Sequence, residues 1–268
     1  MSPRLSMPNR LAAILFCLAF QAHAGITANT FRHPGAPLDP SLKNEADHAA
    51  SQASLWLVAH QAPDGSWGAT NRVRLTSLAL LALAVTGRAE SSDACARSAL
   101  WLDAHATNRL DRLDDHAWRL LACAFVLPAA PARTHLLARF ASFAQPLVAG
   151  APPDARRLWS EALAAAGLAP AAPPDASAPT DAKARLPRTW PPETSDNAEL
   201  WLLAHLINRH LDGQLVREGA PLDWRRDLAQ ILINAQRRDP AGGGYWDAPA
   251  ADAKLAQTAF GLLLLQEL

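Results

Sequence analysis

A single tyrosine, two methionines and three cysteines occur among 268 residues. β-Branched residues are sparse as well, and no convincing strand stands out, which argues against a sheet-based fold. An excess of charge of one sign is also missing. The chain carries 25 basic and 25 acidic residues, so it offers no electrostatic attraction to nucleic acid or to an anionic membrane surface. There is no glycine-rich phosphate loop, no His-Glu-x-x-His pair and no Gly-x-Ser-x-Gly elbow, which removes the commonest signatures of nucleotide, zinc-protease and serine-hydrolase chemistry. No metal and no cofactor are expected.

What is present begins with an export signal. Arg4 and Arg10 flank the approach to an apolar run, Leu11 to Phe20, and Ala22-His23-Ala24 supplies the small residues that signal peptidase needs. Cleavage is expected between Ala24 and Gly25. Cys17 lies too early in the apolar run for lipoprotein processing, and Phe16 stands where that signal wants a small residue. The run is shorter than the about 20 residues that a permanent membrane helix requires. Residues 1–24 are therefore expected to be a signal peptide and 25–41 an extended segment, in a protein that is periplasmic or secreted. The remaining chain has 23 basic and 25 acidic residues, and no further transmembrane helix is expected.

Half the chain is apolar, and breakers divide it into segments with helical periodicity. Helices are predicted near 42–61, 72–86, 92–106, 112–127, 132–147, 154–168, 196–211, 222–236 and 251–267. A Pro- and Ala-rich stretch at 169–192 reads as an insertion in one domain spanning 42–268. The string Leu-Trp-Leu-x-Ala-His occurs at Leu55–His60, Leu100–His105 and Leu200–His205. Trp56, Trp101 and Trp201 are expected at equivalent helical positions, packing between hairpins. This recurrence marks a helical repeat protein.

Two further segments share a plan. Leu57 and Gln61 precede Pro63-Asp64-Gly65-Ser66-Trp67, and Leu232 and Gln236 precede Gly244-Tyr245-Trp246 after a longer gap. In each, Gln is expected to satisfy backbone groups at a neighbouring helix end, Gly to allow a tight turn and Trp to fill the gap between hairpins. Helices rich in Leu and Ala follow both, from Thr76 and from Thr258.

These segments resemble the QW motif of squalene and oxidosqualene cyclases. The resemblance implies an all-α fold, an α/α toroid of about 4–6 hairpins, with inner helices ringing a cavity. Leu78–Val85 and Phe260–Leu265, apolar nearly all round, fit inner helices on their own account. Nine predicted helices give four and a half hairpins, so the ring is incomplete or short of an outer helix at the insertion.

The resemblance does not extend to the chemistry. Squalene-hopene cyclases protonate an alkene from an Asp-x-Asp-Asp motif, which this chain lacks. Its nearest counterpart, Asp111-Arg112-Leu113-Asp114-Asp115, has different spacing and suits capping and the first turn of a helix. Asp114 and Asp115 are nevertheless the candidate proton donors if the chain is a divergent cyclase. Prenyltransferase β subunits share the toroid and bind zinc. Here Asp93-Ala-Cys95 has their Asp-x-Cys spacing, with His105, His116 or His205 as a third ligand, but their flanking sequence is missing. A toroid glycan hydrolase would need paired carboxylates, for which Asp115, Glu161, Asp196 and Asp252 fall near predicted helix starts. The expected function is thus a noncatalytic exported toroid that binds an apolar ligand, a lipid or isoprenoid, or a protein partner. Cys95 and Cys123 lie on either side of a turn near Asn108. An oxidising compartment permits a disulfide between them, and two separately buried thiols are the alternative.

Overall fold

The computed structural model describes residues 38–106, 110–127, 131–168, 186–187, 189–194, 196–211, 213–217 and 219–268. The expected signal peptide, 1–24, residues 25–37 of the expected extended segment and residues 169–185 and 188 of the insertion lie outside them. The described chain is predominantly helical. Its α-helices are α1 Pro40–Ala59, α2 Arg72–Thr86, α3 Ser92–Ala104, α4 Leu113–Val126, α5 Pro131–Ala144, α6 Pro153–Ala165, α7 Asn197–His210, α8 Trp224–Ala235 and α9 Ala251–Glu267. Each predicted helix is present, and the boundaries differ by a few residues at most.

Caps explain several of these ends. The Asp39, Asp196 and Asp223 side chains accept from backbone N–H groups in the first turns of α1, α7 and α8, satisfying donors that have no partner within the helix. Proline opens α1, α5 and α6, where its missing N–H costs nothing.

Four short strands depart from the strandless expectation. β1 Leu215–Arg217 pairs with β2 Ala220–Leu222, and β3 Arg237–Arg238 pairs with β4 Gly244–Tyr245, both antiparallel. Two or three residues are too few to show an alternating pattern, so the sequence carries no period-2 signal for them.

Burial separates the helices into two kinds. In α2 every residue from Leu75 to Val85 is buried, and in α4 every residue from Asp115 to Val126. Such helices need neighbours on all sides. By contrast α8 buries Trp224, Arg225, Leu228, Ala229 and Leu232 along one stripe. The helices contact one another in the order α7, α9, α2, α4, α6, while α1 packs on α9 and α8, α3 on α2 and α4, and α5 on α4.

Side-chain contacts set direction. Arg74 near the start of α2 lies 3.3 Å from Asp115 near the start of α4. Asp252 near the start of α9 accepts from the backbone N–H groups of Ala69 and Thr70, just before α2, at 2.8 and 2.9 Å. The Asn197 N–H at the start of α7 donates to Gln257 Oε1 in α9 at 2.8 Å, and near their far ends Asn208 donates to Glu267 at 2.9 Å. His205 and Glu161, both in third turns, join α7 to α6 at 2.7 Å. Hence the starts of α2, α4, α7 and α9 lie toward one end of the packed helices, and α6 meets α7 in the third turn of each.

The glutamine-to-tryptophan segments join these layers. Gln61 Nε2 donates to Ala94 O and Ser98 Oγ of α3, both at 2.8 Å, and its Oε1 accepts from Arg97. Gln236 Nε2 donates to Ala49 O of α1 at 2.9 Å. In each joint the indole N–H returns to the leucine four residues before the glutamine: Trp67 to Leu57 O at 2.8 Å, and Trp246 to Leu232 O at 3.0 Å. The tryptophan backbone N–H donates to Thr76 or Thr258. A Cβ on Gly65, at φ +92°, would sit 2.7 Å from Arg97 O, and one on Gly243, at φ +85°, would sit 2.8 Å from the Trp56 backbone nitrogen. Gly243, and not Gly244, is thus the glycine of the second joint that meets the backbone of the neighbouring helix as Gly65 does in the first. Gly244 packs instead against the Gln236 side chain. The longer gap of the second joint is taken up by the β3–β4 hairpin. That joint seats on α1, so the last helical pair is fastened to the first.

Candidate functional site

A cavity of about 750 Å³ opens between α4, α6, α7 and α9. The first turns of α4, the first three turns of α6 and α7, and Phe260 from the third turn of α9 line it. Arg112, Asp114, Asp154 and Arg157 line it from the starts of α4 and α6, and Glu161, His205 and Phe260 line it from the third turns of α6, α7 and α9. Eight residues separate Glu161 from Pro153 and His205 from Asn197, so at ~1.5 Å rise per residue both sit about 12 Å below the helix starts.

Aromatic rings form one wall. Trp118, Trp201 and Phe260 are in mutual contact, with centroids 5.2 Å apart for the two tryptophans and 5.5 and 6.0 Å from each to the phenylalanine. Their edges and offsets suit the ring quadrupoles. Trp201 Nε1 is buried with no hydrogen-bond partner among the described residues.

The floor is polar and tightly connected. His205 Nε2 meets Glu161 Oε2 at 2.7 Å and His205 Nδ1 meets Glu267 Oε1 at 2.9 Å. Asn208 Nδ2 donates to Glu267 Oε2 at 2.9 Å, and Arg225 donates to Asn208 Oδ1 at 2.7 Å and to Gly213 O at 3.1 Å. Burial alone would lower the His205 pKa, but the hydrogen bonds and charges of Glu161 and Glu267 reverse that and hold it at about 9. The ring is therefore an imidazolium at neutral pH, bridging two carboxylates. Three helices, α6, α7 and α9, are clamped at this point.

The residues singled out from sequence are dispersed. Asp114 lines the cavity, but Arg112 grips it through two bonds at 2.9 and 2.8 Å. Asp115, its neighbour, faces a separate pocket of about 530 Å³ bounded by Arg72, Arg74, Trp101 and His105. Burial raises the Asp115 pKa, and the Arg74 guanidinium opposes the shift. Although 3.3 Å away, Arg74 Nε is not aligned to donate, which leaves Asp115 Oδ1 without a hydrogen bond among the described residues. Asp196 is a helix cap and Asp252 an acceptor for the loop before α2, so both are spent on backbone groups. Glu161 is not at a helix start but in the third turn of α6.

The zinc set does not assemble either. Asp93 pairs with Arg97 at 2.9 Å, Cys95 is fully buried, His116 bonds to Leu110 O and Arg119, and His205 belongs to the glutamate clamp. Among the described residues no group of three or more His, Cys, Asp or Glu side chains converges to hold a metal ion. Cys95 and Cys123 are free thiols, each pushed up to about 12 by burial. The permitted disulfide is not formed, and both behave as small core side chains.

Trp201 also departs from expectation. Trp56 and Trp101 lie in the last turns of α1 and α3, whereas α7 runs five residues beyond His205 and presents Trp201 to the cavity. Sequence reasoning noted Glu161 and His205 separately but missed their union, and missed Glu267, Asn208 and Arg225 altogether. The signal available was that the third Leu-Trp-Leu-x-Ala-His string lies inside a longer apolar segment. Among the described residues no helix is long and apolar enough to cross a membrane. No protein-family model, curated protein or solved structure matches the chain.

Proposed function

We propose that this chain is a single exported α/α toroid, related to the squalene-cyclase type of repeat, that binds an apolar small molecule such as a lipid or isoprenoid without transforming it. Five helices in serial contact, with Glu161 of α6 meeting His205 of α7, support a ring short of one outer helix where the insertion falls. The observation that carries the binding function is the cavity walled by Trp118, Trp201 and Phe260. Its volume lies in the range of ligand sites, roughly 300–1,000 Å³, and aromatic walls give a large apolar contact area.

Binding is favoured over catalysis because, of the carboxylates lining the cavity, Asp111, Asp114, Asp154 and Glu161, Asp114 is held by Arg112 and Glu161 by His205. Neither is an isolated strong acid aimed at an alkene. A divergent cyclase is the second reading, and one observation favours it: Asp115 is a buried carboxyl, raised by desolvation, beside its own pocket. Product formation from squalene, abolished by Asp115→Asn, would establish that reading.

Lipid extraction and mass spectrometry of the protein purified from its native host test the binding function. A co-purifying apolar compound, reduced in Trp201→Phe and Trp118→Phe, is the expected result. An empty protein that takes up no lipid or isoprenoid on titration would overturn it. A mature N-terminus at Gly25 in the exported fraction checks the localisation.

A further inference from the structure

We infer that the pocket between the start of α2, the end of α3 and the start of α4 is a second binding site, for a small molecule that carries a carboxylate and, on the neighbouring carbon, an ammonium or hydroxyl group. Arg74 lines both this pocket and the apolar cavity, but Asp115 and His105 line this pocket and not the cavity. The site stands or falls independently of lipid binding.

At its centre is an ion pair whose hydrogen-bonding capacity is unspent. Arg74 Nε comes within 3.3 Å of Asp115 Oδ1 without forming a hydrogen bond, and no other hydrogen bond reaches either side chain among the described residues. Oδ1 is covered and Oδ2 is not, while the Arg74 side chain is 27% exposed. A carboxylate can accept several bonds and a guanidinium can donate several, so both sides of the pair have bonds to give. His105 adds an acceptor. Its Nδ1 lies 2.8 Å from the Trp101 carbonyl, which can only accept, so the proton of the neutral ring sits there and Nε2 keeps its lone pair. That nitrogen has no partner among the described residues.

Charge then selects the ligand. Asp64 answers Arg72 at 2.5 Å and Asp115 answers Arg74, so these charges sum to zero. A lone anion would gain Arg74 but meet Asp115, and a lone cation the reverse. A molecule with both groups on adjacent atoms lays its carboxylate on Arg74 and turns its donor to Asp115 and His105, forming charge-assisted bonds on both sides of the pair. An ammonium also offsets the burial that raises the Asp115 pKa. Val73 and Leu110 line the same pocket and suit an apolar substituent on that carbon. The volume of about 530 Å³ lies within the roughly 300–1,000 Å³ of ligand sites.

Free leucine, leucic acid, isocaproic acid and isoamylamine share one apolar skeleton and differ in which of the two polar groups they carry. Calorimetric titration of each into the full protein at neutral pH should show leucine and leucic acid binding at least about tenfold tighter than the two single-group analogues, a gap of ~1.4 kcal/mol. Arg74→Gln should weaken both binders. Asp115→Asn should weaken leucine about tenfold more than leucic acid, because the ammonium loses a charged partner whereas the hydroxyl keeps a neutral one. If that variant folds poorly, His105→Phe serves instead: it keeps a ring on Trp101 but removes Nε2, so both affinities should fall, and unchanged affinities overturn the site. Trp201→Phe, on the wall of the apolar cavity, should leave both as they are. Isocaproate or isoamylamine binding as tightly as leucine overturns the two-group site. So does binding that is lost in Trp201→Phe and kept in Asp115→Asn, which places the molecule in the apolar cavity, and so does the absence of binding by all four.

Discussion

At the ends of α1 and α3, His60 and His105 stack on Trp56 and Trp101 with ring centroids 3.9 and 4.0 Å apart, and each ring Nδ1 lies 2.8 Å from the tryptophan carbonyl. In α7 the same string stacks His205 on Trp201 at 4.9 Å, but Nδ1 is turned to Glu267 and Nε2 to Glu161. Helical spacing alone produces the stack in all three. What differs is the neighbourhood: one carboxylate 4.0 Å away, Asp239, for the exposed His60, a half-buried pocket wall for His105, and two carboxylates from adjoining helices at hydrogen-bond distance for the third. An identical local sequence is thus a surface finish in one place and a clamp in another, because tertiary contacts decide which atoms the ring can reach.

Deleting the rings should break the comparison most sharply. His205→Ala leaves two carboxylates facing each other at the cavity floor, and loss of a buried partner typically costs about 3–5 kcal/mol. His60→Ala and His105→Ala lose a stack and a carbonyl contact at partly exposed sites, so each should cost less than about 1 kcal/mol. Urea unfolding midpoints of the three variants check this. Equal losses would show that the clamp contributes nothing beyond the local stack.

The clamp also has a pH signature. A histidine whose pKa is raised by folding stabilises the folded state fully below its unfolded value, and the contribution fades as pH rises through the folded one. For His205 these values are 6.5 and about 9. Stability should fall across that window by an amount on the order of 3 kcal/mol, because each tenfold gain in proton affinity on folding is worth ~1.4 kcal/mol. Urea titrations between pH 6 and 10 on the wild type and on His205→Gln provide the measurement. A fall that persists unchanged in the variant would assign it to other groups.

The first and last joints extend the comparison at a smaller scale. Gln61 donates to two acceptors in α3, accepts from Arg97 there and donates to Gly65 O in its own turn, while Gln236 makes a single bond to α1. Replacing a partly buried hydrogen-bonding side chain so that its partners are left unpaired costs about 1–3 kcal/mol. Gln61→Ala should fall at the upper end of that range and Gln236→Ala at the lower. Both should lie below His205→Ala, and thermal midpoints rank them.

Most helices, and the joints that link them, were legible because their causes are local. Period-3.6 patterning, a proline or glycine at each break, and the Gln-to-Trp spacing all act within a few residues. The floor of the cavity has no such local cause. Glu161, His205 and Glu267 are 44 and 62 residues apart in sequence, and each taken alone is an ordinary helical polar residue. Only the packing of α6, α7 and α9 brings them together. Asp114 and Asp115, the alternative proton donors, are parted by a local cause: adjacent positions on a helix point about 100° apart, so the two carboxylates line different pockets.

The buried thiols sharpen where each copy of the string sits. Cys95 is in α3, the helix that carries Trp101 and His105, and Cys123 is in α4, which packs against α3. Both have no exposure to speak of, at 0% and 1%, and burial suppresses their thiolates, so a thiol reagent should label neither in the native protein at neutral pH. Under mild urea the labelling rate reports how often this part of the molecule opens. If the clamp is a local fastening of α6, α7 and α9, His205→Ala should loosen those helices and release bound ligand while Cys95 and Cys123 stay protected until the whole chain unfolds. If the molecule opens as a single unit, thiol labelling should accelerate in step with the loss of stability. His105→Ala tests the other side: a small change in overall stability with faster labelling of Cys95 would place the weakest hinge at the end of α3. Unchanged labelling would make the surface copies of the string neutral ornaments of the helix and leave His205 as the copy that holds helices together.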